Sequence, residues 1–360
     1  MSGLPGAGGR CVVRRFSFVD AFLWAFRAAV IAVVLVGSVA TLIAGRYTGR
    51  QWTDFIEFGL AQGGIYAMIA LGYTMVYGVL NMINFAHGEV FMSGAYTAYF
   101  VAAPLAAAGF LNRYLLPSLL LLLLVSMATS TGVALLVERV AYRPLRRAPR
   151  LIPLITAIGA SFFLQYTFRG FYGSGVQAYP DIDVLRGEWQ VGGLHILRTQ
   201  AIVLGAAAVM MLVLYAIVMR TKTGKAMRAV AEDRDAATLM GIDVDRIIVF
   251  TFALGGAMAG AAGILYALVF KQVQFFMGFV PGIKAFTAAV LGGIGNIPGA
   301  MLGGLFLGVV ESVGPALFLD GLGIPAPYQL RDVIAFTMLL IMLIFRPQGF
   351  LGERLAAKRA

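Results

Sequence analysis

Long apolar segments recur along the chain and restrict its fold more than any motif does. Of its 360 residues, 60% are hydrophobic and 12% are charged. Seven segments are long enough to cross a bilayer as helices: residues 20–44, 56–80, 88–110, 115–137, 151–171, 200–219 and 247–270. A soluble domain has too little polar surface to cover so many apolar helices, and the alternation typical of membrane β-strands is missing. The sequence therefore predicts an all-α, polytopic transmembrane helix bundle.

A glycine-rich turn interrupts the apolar pattern near the end of the chain. The apolar segment 284–291 is short, and the turn 292–299 (GGIGNIPG) separates it from a full apolar run that starts at Ala300. Irregular backbone inside a bilayer is tolerated where protein or a water-filled cavity surrounds it. We expect a broken or re-entrant hairpin with its turn near the transport path. The bundle would then have about eight spans plus this hairpin, or roughly 8 to 10 membrane segments.

The basic residues indicate orientation. The formal net charge is +11, but the arginines stand in short loops beside apolar spans, which argues against a nucleic-acid-binding face. The loop 138–150 is the densest in arginine, so it should be cytoplasmic. Both termini then face the cytoplasm, in a multi-pass membrane protein. We expect a disordered basic tail at 1–19, a transmembrane domain at 20–346 and a second basic tail at 347–360.

Two short strings suggest an internal repeat. Residues 61–64 (AQGG) and 253–256 (ALGG) each open a span that an interrupted segment follows. Transporters often contain inverted repeats with the binding site between them. The match is short, so an inverted repeat is a possible feature of the fold and coincidence explains the strings about as well.

A polar insertion, residues 81–89 (NMINFAHGE), stands between two apolar spans. Polar groups at membrane depth are costly and usually serve a site. In one interpretation Glu89 caps a helix and His87 bonds backbone at a helix break, as buried polar groups commonly do. In the other, the insertion and the glycine-rich turn line the substrate path, with the candidate residues Asn81, Asn84, His87, Gly293 and Asn296. Isolated charges such as Lys271, Lys284 and Glu311 are expected near span ends, where they reach the interface.

The chain lacks the motifs of several chemistries. Cys11 is its one cysteine and it has two histidines, too few for a disulfide or a clustered metal site. No phosphate-binding loop or Gly-x-Ser-x-Gly elbow occurs. We therefore expect no metal, no cofactor and no catalysis by this chain.

Residues 220–246, called here the coupling segment, are too polar to enter a bilayer. If residues 224–240 are helical, one face carries Met227, Val230, Ala231, Ala237 and Met240, and Gly241 ends the helix. An apolar face flanked by charges of both signs suits docking on a soluble partner. The alternative is a solvated loop.

Four strings carry a resemblance to a known family. Residues 64–78 (GIYAMIALGYTMVYG), 84–89 (NFAHGE), 138–146 (ERVAYRPLR) and 346–352 (RPQGFLG) resemble branched-chain amino acid ABC importer permeases of the LivH type. The coupling segment is similar as well. The resemblance runs from about residue 55 to residue 354 and leaves the first 50 residues outside.

This resemblance implies an inner-membrane permease that pairs with a second, homologous permease, two cytoplasmic ATPases and a periplasmic substrate-binding protein. ATP would bind to the partner subunits. The residues that match the helix contacting the ATPase are Lys225, Arg228, Glu232, Asp233, Arg234 and Gly241. Branched-chain amino acids are the implied substrates, but related permeases carry urea, amides or other small solutes, and the pair could be a homodimer or a heterodimer.

Two other classes stay open on the residues alone. A secondary transporter or channel would work without ATP, and it would normally show acidic or ion-coupling groups inside its spans. A membrane enzyme would need clustered titratable groups at one face. The coupling segment favours the ATP-driven importer.

Overall fold

The computed structural model describes residues 18–146, 148–149, 151–191 and 194–352. Most of the predicted tail 1–19, Cys11 and residues 353–360 of the second tail lie outside them. In chain order the α-helices are α1 (Phe18–Ala44), α2 (Gly49–Leu80), α3 (His87–Ala107), α4 (Phe110–Arg113), α5 (Leu115–Val137), α6 (Leu151–Tyr172), α7 (Arg198–Arg220), α8 (Lys222–Glu232), α9 (Arg234–Leu239), α10 (Val244–Phe270), α11 (Phe279–Gly292), α12 (Ile297–Gly314) and α13 (Arg331–Phe345).

The predicted all-α membrane bundle is confirmed. Nine helical segments of the described residues are long and apolar enough to cross a bilayer, and the shorter α11 adds another apolar segment. The four strands are short: β1 (Gln177–Ala178), β2 (Glu188–Val191), β3 (Leu194–Leu197) and β4 (Gln272–Val273). Strand β1 pairs antiparallel with β4, and β2 pairs with β3. The β1–β4 pair joins the loop after α6 to the loop after α10, so both loops lie on one side of the bundle.

Helix α2 forms the centre of the bundle because small residues let α12 approach it closely. A β-carbon added at Gly304 of α12 would lie 2.4 Å from the Cα atom of Ala67, and one added at Gly308 would lie 2.3 Å from that of Gly63. Such backbone contact replaces the hydrophobic driving force that helices lack in lipid. A larger residue at either glycine would separate the two helices.

Two helix–link–helix units meet inside the bundle. Helices α2 and α10 both end at a residue in the left-handed region, Asn81 (φ 53°) and Lys271 (φ 56°). Links of residues 81–86 and 271–278 follow, and α3 and α11 then begin in contact with each other at Gly88 and Gly278. The end of α2 and the start of α10 both adjoin α8 and α9, so the two long helices run in opposite directions. This arrangement supports the inverted repeat.

The break predicted at residues 292–299 is present between α11 and α12. Gly293 (φ 103°) and Gly295 (φ 95°) form the turn in conformations that favour glycine. The turn packs against the segment after α13, where the Phe350 N–H donates to the Leu291 carbonyl at 2.7 Å. It therefore lies beside the C-terminal segment of the described chain.

Candidate transport site and coupling segment

Asn84 stabilises the link between α2 and α3. Its side-chain oxygen accepts hydrogen bonds from the Ala86 N–H and from the Tyr142 hydroxyl, both at 3.1 Å. Tyr142 belongs to a π-helical turn that follows α5. Asn84 thus closes the link on itself and fastens it to a third helix, whereas Asn81 is exposed at the end of α2.

His87 fills a gap between helices. Its ring lies edge-on to Tyr73, with the centroids 4.9 Å apart. A β-carbon added at Gly72 of α2 would lie 2.1 Å from His87 Nε2, and one added at Gly255 of α10 would lie 3.7 Å from the same ring. The imidazole therefore packs between α2 and α10, where glycine leaves room for it.

Glu89 points to a different helix from His87. It is 1% exposed, and its Oε1 atom accepts hydrogen bonds from Ser161 Oγ at 3.2 Å and Gln165 Nε2 at 2.6 Å. Both donors belong to α6. The expected role of Glu89 as a cap of its own helix is wrong, because its side chain crosses to α6. Its Oε2 atom has no hydrogen-bond partner among the described residues.

A cavity of about 300 Å³ lies between α2, α3, α6 and α11. This volume is at the lower end of the range for small-ligand sites. The wall is mostly aromatic and aliphatic: Tyr73, Phe85, Ile158, Phe162, Phe279 and Ile283. Ser161 and three glycines at the helix starts (Gly88, Gly278 and Gly282) complete it. The surface is suited to an aliphatic group, with few polar contacts.

The five residues predicted to line a path do not meet at this cavity. Asn81, Asn84 and His87 take the positions described above, and Gly293 is buried in the α11–α12 turn. Asn296 caps α12 by accepting from the Gly299 N–H at 3.0 Å and donates to the Leu351 carbonyl at 2.8 Å. Asn84, His87, Gly293 and Asn296 thus make contacts within the fold, and Asn81 ends α2 through its backbone. Sequence reasoning missed the cavity because four separate helices supply its wall; the nearest signal was Gly88, inside the polar insertion.

The coupling segment is not one helix from 224 to 240. Asp233 takes an extended conformation (φ −152°) that ends α8 and begins α9. Its carboxylate accepts from the backbone N–H groups of Asp235 at 2.8 Å and Ala236 at 3.0 Å. An aspartate at a helix N-cap stabilises the new helix start, so the chain turns between two short helices.

The apolar face predicted for partner docking is buried in the chain itself. Met227 and Val230 of α8 and Ala237 of α9 are buried, and Ala231 is half-buried, 4.0 Å from the position of a β-carbon added at Gly78 of α2. Met240, expected on the same face, is instead 83% exposed. The predicted face therefore holds the segment on the membrane domain.

Arg234 joins the segment to α2. Its Nε and Nη2 atoms donate to the Val79 carbonyl at 3.0 and 2.6 Å. That carbonyl belongs to the last turn of α2, where carbonyls lack helical partners and cations are favoured. Burial is the main cause that lowers the pKa of the Arg234 guanidinium, and the positive charge of Arg146 lowers this pKa further. The contact fastens α9 to the end of α2.

The other predicted coupling residues lie on the outer face of the segment. Lys225, Arg228, Glu232 and Asp233 are exposed, and Gly241 (φ 82°) ends α9 as expected. Next to Gly241, Leu239 is 88% exposed. The exposed surface of α8 and α9, formed by Leu239, Met240 and these charges, is called here the α8–α9 surface.

The expectation that Lys284 and Glu311 reach the membrane interface is wrong, because both side chains are buried between helices. Lys284 Nζ contacts Glu311 Oε1 and lies 2.6 Å from Asp332 Oδ1. Gln62 Nε2 of α2 donates to Glu311 Oε1 at 3.2 Å. Arg331 adds a second cation at 3.8 Å from Glu311. Sequence reasoning assigned each charge alone and missed that opposite charges neutralise one another inside the bundle.

Comparison with known proteins places these features in a family. Residues 55–343 match the family described as "Branched-chain amino acid transport system / permease component". The chain belongs to this family. The matched region contains the cavity, the buried ion cluster and the α8–α9 surface of the permease, and α1 precedes it.

Relatives cover most of the permease. This chain is 44% identical to the high-affinity branched-chain amino acid transport system permease protein BraD of Pseudomonas aeruginosa, over 82% of this chain and 94% of that one. It is 42% identical to the protein LivH of that transport system in Escherichia coli, with the same coverage. A probable branched-chain amino acid transport permease protein of Methanocaldococcus jannaschii is 25% identical over 82% of this chain and 91% of that protein.

Proposed function

We propose that this permease forms, with a second homologous permease subunit, the membrane path of an ATP-driven importer for branched-chain amino acids. The match to relatives named for that transport, at 44% and 42% identity over 82% of the chain, carries the proposal. A periplasmic binding protein would deliver the substrate. The homologous subunit can be a second copy or a related chain.

The α8–α9 surface supports the part of the proposal in which cytoplasmic ATPases dock on this chain. Exposed apolar residues rimmed by charges are typical of interface anchors. Leu239 and Met240 are nearly fully exposed, while the rest of the segment is fastened to α2. In this proposal ATP binds only to the partner subunits, and this chain holds no cofactor. The segment and both termini face the cytoplasm of a bacterial inner membrane, in accord with the positive-inside rule.

The cavity favours aliphatic substrates over urea and amides. Its wall consists mainly of aromatic and aliphatic side chains, and urea has no apolar part that contact with this wall would remove from water. A branched side chain would instead replace water at an apolar wall.

Disruption of the α8–α9 surface tests this proposal. The double variant Leu239→Asp, Met240→Asp should fail to co-purify with co-expressed ATPases and should lose ATP-dependent leucine uptake in proteoliposomes. Leu197→Asp, at an exposed position of β3, is the control and should retain the ATPases. Retention of the ATPases and of uptake by the double variant would contradict the proposed docking.

A further inference from the structure

One motif of the sequence that the proposed function leaves unused forms a tight turn after α5. Residues 138–146, called here the post-α5 turn, contain a π-helical turn over Glu138–Tyr142 and a 3₁₀ turn over Arg143–Leu145. π-Helical turns are rare in proteins and occur frequently at functional sites. Glu138 and Tyr142 are both buried. The turn is therefore packed into the bundle more closely than a simple connection between two spans requires.

Arg146 fastens the post-α5 turn to the coupling segment. Its guanidinium contacts the carboxylate of Glu138 and that of Asp245. Glu138 begins the turn, whereas Asp245 lies in the first turn of α10, where the coupling segment ends. A buried carboxylate such as Glu138 needs a partner of opposite charge. Arg143 supplies a second cation, 3.8 Å from Asp245. Ion pairs thus hold the turn and the end of the coupling segment together.

Tyr142 fastens the same turn to the link between α2 and α3. Its hydroxyl donates to Oδ1 of Asn84 at 3.1 Å. The same oxygen accepts from the Ala86 N–H at 3.1 Å, and the carbonyl of Asn84 accepts from the His87 N–H at 3.1 Å. Ala86 and His87 are the N-cap and the first residue of α3. Tyr142 therefore holds the start of α3 through Asn84.

The post-α5 turn connects the coupling segment to α3 by contacts separate from those of Arg234. Arg234 bonds the last turn of α2, whereas the contacts through Arg146 and Tyr142 reach the start of α3. Both helices line the cavity, α2 with Tyr73 and α3 with Gly88. Coupling between distant parts of a protein is carried by packed side chains and by networks of hydrogen bonds and ion pairs. Movement of the coupling segment would then act on two walls of the cavity at once.

We propose that the post-α5 turn transmits movement of the coupling segment to α3 during transport, with Tyr142 as the residue that positions the α2–α3 link. This inference rests on the proposed function and adds a second connection between the segment that docks the ATPases and the cavity. Tyr142 touches no substrate and acts through Asn84. A turn that only stabilised the fold would affect the amount of intact complex, and it would change uptake and ATP hydrolysis in equal proportion.

Leucine uptake per ATP hydrolysed, measured with the complete transport complex in proteoliposomes, tests the role of Tyr142. Tyr142→Phe removes only the hydroxyl, and Asn84 Oδ1 keeps the Ala86 N–H as its donor. We expect the ratio to fall about fivefold, the effect of one lost hydrogen bond between neutral groups. Tyr215→Phe, at an exposed tyrosine of α7, is the matched control and should preserve the ratio. Equal ratios for the two variants would overturn the proposal.

Asp245→Ala tests the other end of the connection. It removes the carboxylate that Arg146 contacts, while Asp243 still caps α10. The ratio should fall by a similar factor. Combination with Tyr142→Phe should lower it no further than the stronger single variant, because both changes interrupt one connection. The neighbouring Arg246→Ala removes an exposed ion pair of the same helix turn and should preserve the ratio. An unchanged ratio for Asp245→Ala, or effects that multiply in the combined variant, would count against the connection.

Uptake by the unmodified complex separates this inference from the proposed function. If the complex does not import leucine when ATP is supplied, the proposed function fails and this inference fails with it. If the complex imports leucine and both variants keep the ratio of the unmodified complex, the post-α5 turn only fastens the fold and the proposed function stands.

Discussion

Gly88 and Gly278 show how single residues set the position of the candidate site. Their backbones touch at the start of α3 and before α11, and Gly72 leaves room for the His87 ring in the same region. These glycines are needed for close approach, because no β-carbon fits in the space. The sequence singled out His87 by its chemistry, but its main visible contribution is to packing.

Substitution of these glycines should destabilise the bundle. Gly278→Ala places a β-carbon 2.1 Å from the Gly88 carbonyl oxygen, so the two helix starts must separate. We expect a loss of about 1–3 kcal/mol, as for other overpacked sites, and a lower midpoint of thermal unfolding in detergent. Gly132→Ala on α5 is the control, because nothing lies within 4 Å of its added β-carbon and alanine favours a helix. A midpoint for Gly278→Ala equal to that of Gly132→Ala would refute the close-contact argument.

At the scale of elements, a cluster of opposite charges joins α11, α12 and α13. Lys284, Glu311 and Asp332 each belong to a different one of these helices, and Gln62 adds a contact from α2. Charges inside a membrane protein are stable when they are paired. The short α11 is thereby fixed to its neighbours on the side away from the glycine-rich turn.

Removal of one charge of this cluster should lower the free energy of unfolding more than removal of two opposite charges. Lys284→Met leaves the buried Glu311 with the more distant Arg331 as its cation, beside the neutral Gln62, and we expect a loss of about 3–5 kcal/mol in the free energy of unfolding. Lys284→Met combined with Glu311→Met removes the pair and should recover part of that loss. Thermal unfolding of both variants measures the difference, with Lys284→Arg as the charge-preserving control. A single variant as stable as the unmodified protein would contradict the buried pairing.

The sequence predicted an element correctly where the cause of that element lies in neighbouring residues. The sequence predicted the break between α11 and α12, because glycine and proline interrupt a helix wherever they stand. It did not predict the break at Asp233, because aspartate is compatible with a helix surface as well as with an N-cap. Apolar spacing identified Met227 and Val230 as one face, but only the tertiary structure shows that this face is buried, with α7, α2 and α10 packed against α8. The cavity depends on four helices and has no local signal.

At the scale of the whole molecule, the contacts link the α8–α9 surface to the core. Arg234 bonds the last turn of α2, and α2 packs through glycines on α12 and lines the cavity with Tyr73. A force applied to α9 by a partner would thus reach the helix that forms the centre of the bundle. Under the proposed function, ATP hydrolysis by partner subunits would move the cavity wall through α2.

The most direct test of this account is leucine uptake per ATP hydrolysed, measured in proteoliposomes that contain the complete transport complex. Arg234→Ala removes the two hydrogen bonds to Val79 and should lower this ratio about tenfold, since a hydrogen bond from a charged group contributes roughly 1.5–3 kcal/mol. Arg246→Ala, at a side chain 87% exposed, is the control and should preserve the ratio. An unchanged ratio for Arg234→Ala, or leucine uptake by the permease without ATP, would contradict the account.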